Sequence, residues 1–180
     1  TAGKAKKARN RSQRAEQARA TSARLVKGLV ERLVQLEEKH AALAAAGGGG
    51  GGGGGEGKQI VALMRTLRIF CTAWPKLLVE HTDTLAPYLG GDEHMDPQDE
   101  ADVLNEVASM VTLVLPVMSV PSKRFQDKLA KDLVRLIYTR QSRVLGSVVK
   151  CACVLAQSVT KQPAELRKML QKFYGYLFKN

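Results

Sequence analysis

At 180 residues, 44% apolar and 25% charged, the chain suffices for one compact domain or a few repeat units and excludes two ordinary domains plus a tail. Aromatics make up only 5% while Leu, Val and Ala abound, which argues against a β-sandwich core and predicts an all-α fold. The net charge of +11 is uneven: Lys plus Arg against Asp plus Glu stands at 11 to 4 over 1–55, 4 to 10 over 56–110 and 13 to 3 over 111–180. A basic arm and a basic end therefore flank an acidic middle, a distribution suited to polyanions or acidic proteins and sensitive to salt. The same charges on solvated helix backs would serve solubility alone.

Residues 1–21 are rich in Ala, Lys, Arg and Gln with no large apolar residue, so they have no face to bury and are expected to form a flexible basic arm. Over 22–46 the pattern changes: Leu25, Leu29, Leu33, Leu36 and Leu43, widened by Val26 and Val30, predict an amphipathic helix. The glycine-rich stretch 47–57 predicts a flexible loop. Gly52 to Gln59 nearly matches a phosphate-binding loop, but Gln59 stands where the magnesium-binding hydroxyl belongs and helix rather than strand precedes it, so no nucleotide site is expected.

Residues 58–180 divide at helix start and stop signals. A helix over 58–73 carries the apolar residues Ile60, Val61, Leu63, Met64, Leu67, Phe70 and Cys71; Pro75 opens a second, ending near Ala86, with Leu77, Leu78 and Leu85 inward. Trp74 reads as a junction aromatic. Asp96 is the expected N-cap of a third helix, with Pro97 in its first position and Asp99 and Glu100 in its first turn. Two adjacent apolar lines on this helix, Val103, Val107, Met110, Val114 and Leu104, Val111, Leu115, Met118, predict contacts on two sides. A fourth helix from Pro121 turns Phe125, Leu129, Leu133 and Leu136 inward; a fifth over 142–159 is apolar almost all round; a sixth opens at Pro163. Starts at Lys58, Gln98 and Gln141 are 40 and 43 residues apart, close to one HEAT or armadillo unit. The expected architecture is a HEAT/armadillo-like α-solenoid of antiparallel helix pairs. The first amphipathic helix is a possible partner for 58–73, which would shift the repeat register.

Three cysteines, Cys71, Cys151 and Cys153, make no even disulfide framework, and two positions about 200° apart on one helix cannot readily share a metal. His40, His81 and His94 are scattered without ligand partners, so neither metal, cofactor nor catalytic constellation is expected. The longest uncharged run, VASMVTLVLPVMSVPS, is shorter than the roughly 20 residues of a membrane span and holds Pro116 and Pro121. A start at Thr1 and an apolar FYGYLFKN end suggest a segment of something longer.

The strongest candidate surface is basic. Arg124, Lys128, Lys131 and Arg135 fall within about 60° of one another on a 3.6-residue wheel. Arg140, Arg143 and Lys150 extend the charge, as phosphate contacts that position without reading bases.

The blocks RTLRIFCTAWPKLLVEHTDTLAPYL, VTLVLPVMSVPSKRFQDKLAKDLVRLI and VVKCACVLAQSVTK, followed by FYGYL, resemble the HEAT-repeat core of the cohesin loaders, the Nipped-B or NIPBL sister-chromatid cohesion family. KGLVERLVQLEEKHAAL is similar to the helix preceding that block, so the resemblance spans about 27–177. It implies a non-catalytic, nuclear, chromatin-associated scaffold that contacts DNA and the SMC and kleisin subunits of cohesin. Pairing with a TPR-type partner would lie outside this chain. The alternative from the residues alone is an unrelated HEAT or armadillo adaptor binding a protein or peptide.

Overall fold

The computed structural model describes residues 2–45, 54–91, 95–118, 123–138, 142–159 and 171, and the described residues contain helix and no strand. In chain order the elements are α1 (Ala2–Ala45), α2 (Gly54–Ala73), the 3-10 segment η1 (Pro75–His81), the single turn α3 (Thr82–Leu85), the 3-10 segment η2 (Ala86–Gly90), α4 (Pro97–Val114), the short 3-10 turn η3 (Leu115–Val117), α5 (Lys123–Tyr138) and α6 (Ser142–Val159). The all-α expectation holds.

Helix α1 departs from the sequence reading twice. It runs unbroken through 2–21, where a flexible arm was expected, because Ala, Arg, Lys and Gln are strong helix formers and extending a nucleated helix is cheap. All described side chains between Lys7 and Thr21 are exposed, so this stretch is a basic helical rod roughly 22 Å long. Further on, the buried stripe is Ser22, Val26, Val30, Leu33 and Leu36, while Leu25 is 52% exposed. The valines expected at the margin lie at the centre of the contact, since the i, i+4, i+7 line through Val26 faces α2 and η1.

Helix α2 begins at Gly54, inside the expected glycine loop. Lys39 Nζ reaches Glu56 Oε1 at 2.8 Å, tying the far part of α1 to the first turn of α2. Gly57 is buried against α4: a Cβ there would lie 2.8 Å from Asp99 Oδ2, so the bare backbone allows the first turn of α4 to come close. The segment from Pro75 is not the single α-helix the apolar spacing predicts. Pro75–His81 takes 3-10 form, a single α turn follows, and Pro87, which supplies no N–H and would crowd the carbonyl four residues back, ends regular α-helical bonding at the position expected. Trp74 marks the break with φ −141° and is 37% exposed.

Gly91 closes this segment at φ 74° and ψ 164°, a conformation reserved for glycine, and a Cβ on it would sit 2.5 Å from Glu100 Oε1. Gly91→Ala is expected to lower stability by about 1–3 kcal/mol in urea denaturation; an unchanged midpoint would refute this reading of the turn.

Helix α4 is capped as its sequence predicts, Asp96 Oδ1 accepting from the Gln98 N–H at 2.9 Å with Pro97 next in line. Val103, Val107, Met110 and Val114 are buried on one line and Leu104, Val111 and Leu115 on the other, with Met118 half-buried. α4 accordingly packs on α2 and on α6. Helices α2, α4 and α6 thus form one row. Beside it stand α1, which touches α2 and η1; η2, which touches α4 and α5; and α5, which touches α6. One apolar core runs through all of them, from Val26 to Leu155. The structure therefore places α1 beside α2, the alternative register. Phe125's side chain and the helix expected from Pro163 lie outside the described residues. Among the described residues no helix is long and apolar enough to cross a membrane.

Candidate interaction surface

The two sides of α5 are set by its periodicity. Leu129, Leu133 and Leu136 are buried, and Lys128, Lys131 and Arg135 stand exposed on the other side. The cations differ in freedom. Arg135 Nη2 donates to the Leu89 carbonyl at 3.4 Å and so braces η2, whereas Lys128 and Lys131 form no ion pair among the described residues. Half-buried Asp132 sits among them; burial raises its carboxyl above the ordinary range, opposed by the charges of Arg135, Lys128 and Lys131. Arg124 belongs to the first turn of α5, but its side chain, like the whole of Arg140, lies outside the described residues.

Arg143 and Lys150 are exposed on α6, yet Lys150 lines a cleft with residues of α2 and α4 rather than prolonging the α5 face. Of the seven predicted cations, Arg124, Lys128, Lys131 and Arg135 therefore belong to α5 and Arg143 and Lys150 to α6, while Arg140 lies outside the described residues.

Sequence reasoning missed an ion-pair ladder across α2 and α4. Arg65 Nη2 meets Asp102 Oδ2 at 2.8 Å, Arg65 Nε lies 3.7 Å from Glu106 Oε1, and Arg68 Nε donates to Glu106 Oε2. The signal was present: Arg65 and Arg68 share a helix face, Asp102 and Glu106 share another, and the sequence separations of 37 and 38 approach the repeat spacing. With both arginines about half exposed, each pair contributes on the order of 0.2–1 kcal/mol. The ladder neutralises most charge on that side of α2 and α4, leaving the cations of α6 as its net charge.

The thiols divide by burial. Cys71 and Cys151 are buried, and burial pushes them up to about 11 and about 12; Cys71 also donates to the Met110 carbonyl at 3.7 Å, and a hydrogen bond with Thr112 partly offsets the rise at Cys151. Cys153 is exposed. Ellman's reagent at pH 8 is expected to modify Cys153 alone in the native chain and all three in denaturant. Rapid native reaction at Cys71 or Cys151 would contradict the packing.

These features define an all-α protein of closely packed helices with separate basic surfaces on α5 and α6. Comparison with known proteins gives its kinship. The chain is 30% identical over 162 residues to Nipped-B-like protein B of Danio rerio and 30% identical over 155 residues to Nipped-B-like protein of Homo sapiens, covering 90% and 86% of this chain. To Nipped-B protein of Drosophila melanogaster it is 28% identical over 153 residues, 85% of the chain. The chain belongs to the Nipped-B family. It spans only 5–6% of the length of these relatives. No protein-family model matches it, and no solved structure does. Membership sets aside the unrelated adaptor.

Proposed function

We propose that this chain is a non-catalytic scaffold segment of a cohesin-loading protein, one stretch of a HEAT/armadillo-like α-solenoid. In this reading it acts in the nucleus, contacting DNA and the SMC and kleisin subunits of cohesin, with no cofactor of its own. The TPR-type partner would be engaged through a region outside this chain.

The observation that carries this reading is kinship with Nipped-B proteins over 85–90% of the chain. The contacts add support. Taking α1 with α2, η1 to η2 with α4, and α5 with α6 yields three successive units, each resting on the next through the α2, α4, α6 row. Exposed cations on α5 and the exposed basic rod of α1 supply phosphate contacts.

Charge neutralisation tests it. Replacing Lys128 and Lys131 by Gln, while leaving the bracing Arg135 intact, is expected to flatten the slope of log affinity for duplex DNA against log salt by about 2. The same substitutions in the full-length protein should reduce cohesin loading. An unchanged slope together with unchanged loading would overturn the assignment of α5.

A further inference from the structure

The outer side of the α2, α4, α6 row has a chemistry unlike that of α5. On α2 and α4 the charges cancel in the Arg65, Arg68, Asp102, Glu106 ladder. On α6 they do not: the helix contains no Asp or Glu, and Arg143 and Lys150 are exposed seven residues apart on one ridge. Between that ridge and α4 lies a cleft of about 320 Å³, bordered by Arg68, Ser109, Leu113, Gly146, Ser147 and Lys150. Leu113 is 37% exposed there, and Ile69, 66% exposed, stands on the neighbouring ridge of α2.

Gly146 points to the cleft being kept open. Glycine in a helix interior costs about 0.5–1 kcal/mol relative to alanine. Packing gives no reason for that cost, because a Cβ at Gly146 would meet nothing within 4 Å. What the missing side chain does provide is access between α4 and α6.

We propose that this cleft docks an acidic peptide segment of a partner protein. An apolar side chain enters beside Leu113, and carboxylates on either side meet Lys150 and Arg143. The two cations are two helical turns apart, roughly 10 Å along α6, which is about one three-residue turn of a peptide in polyproline II conformation, where residues i and i+3 face the same way. Acidic residues at i and i+3 with an apolar residue between them therefore match the site. Nucleic acid fits poorly, since exposed Leu113 and Ile69 offer phosphates nothing, whereas an apolar peptide side chain can cover them. The proposal is independent of the DNA contacts assigned to α5.

The test uses the intact chain and a fluorescein-labelled peptide, acetyl-Gly-Glu-Leu-Gly-Glu-Gly-amide, followed by fluorescence anisotropy. Gly146→Leu is expected to fill the cleft and weaken binding at least tenfold without lowering the melting temperature. Should that variant fold badly, Arg143→Gln with Lys150→Gln decides the matter, with an expected loss of about tenfold. Lys128→Gln with Lys131→Gln should leave peptide binding unchanged, which separates this result from the fate of the DNA reading. The proposal is overturned if the wild type shows no saturable binding, if Gly146→Leu folds and binds normally, or if a peptide with Gly for Leu binds equally well. A concentration-dependent doubling of mass that Gly146→Leu abolishes would assign the cleft to a second copy of the chain and likewise overturn it.

Discussion

Met110→Ala is expected to destabilise the chain by about 2–5 kcal/mol, whereas Leu113→Ala, three residues further along the same helix, should cost well under half as much. Met110 is fully buried on α4, the helix held between α2 and α6, so truncation leaves a cavity that neither neighbour can close without shifting against the other. Leu113 is 37% exposed and leaves no such cavity. Both substitutions go to the best helix former, so differences in helix propensity cannot explain the contrast. Urea denaturation measures it. Equal losses at the two positions would mean that α4 is not central to the core.

The second large effect is alkaline. Cys71 and Cys151 titrate at about 11 and about 12 in the folded chain, against an ordinary value of 9.0. At pH 8 and below both thiols are almost wholly protonated whether the chain is folded or not, and their contribution is fully present. Between pH 9 and 11–12 the unfolded chain ionises while the folded chain does not, so stability falls as pH rises. By pH 10.5 the loss is about 2 kcal/mol for each thiol, about 4 kcal/mol together. Lysines and tyrosines titrate in the same range, so the informative quantity is the difference from a Cys71→Ala, Cys151→Ala variant. Between pH 8 and 10.5 the wild type should lose about 4 kcal/mol more than the variant. Parallel curves would show that burial does not hold these thiols neutral.

Much of the local structure was legible because its causes are local. The Asp96 cap, the two buried lines of α4 and the inner leucines of α5 follow from residue chemistry and 3.6-residue periodicity, and each stands where those rules put it. The failures have identifiable physics. The lack of a buried face predicts a flexible arm and gives no sign of helix, but a helix nucleated by the packed part of α1 propagates outward through good helix formers. For the segment from Pro75 the apolar spacing predicts one α-helix closed by Pro87, but that spacing does not distinguish α from 3-10 bonding over so short a run, and Pro75–His81 is 3-10.

The candidate surfaces divide in the same way. That α5 has a basic side could be read from its sequence alone. That Arg135 is taken up by the Leu89 carbonyl while Lys128 and Lys131 form no ion pair among the described residues could not, because the partner lies 46 residues away. The Arg65 to Asp102 and Arg68 to Glu106 pairs, and the cleft beneath Lys150, depend on which ridge of one helix meets which ridge of the next.

By itself the sequence determined that the chain is helical, where most of its helices start, which sides they bury and which family it belongs to. Those properties are encoded by residues within a few turns of one another or by residue-for-residue similarity. Only the tertiary structure decided that α1 pairs with α2, that α4 lies between α2 and α6, and that the cations separate onto α5 and α6. Such choices rest on contacts between residues some 40 positions apart, whose energies depend on fit between helix surfaces that no local pattern records.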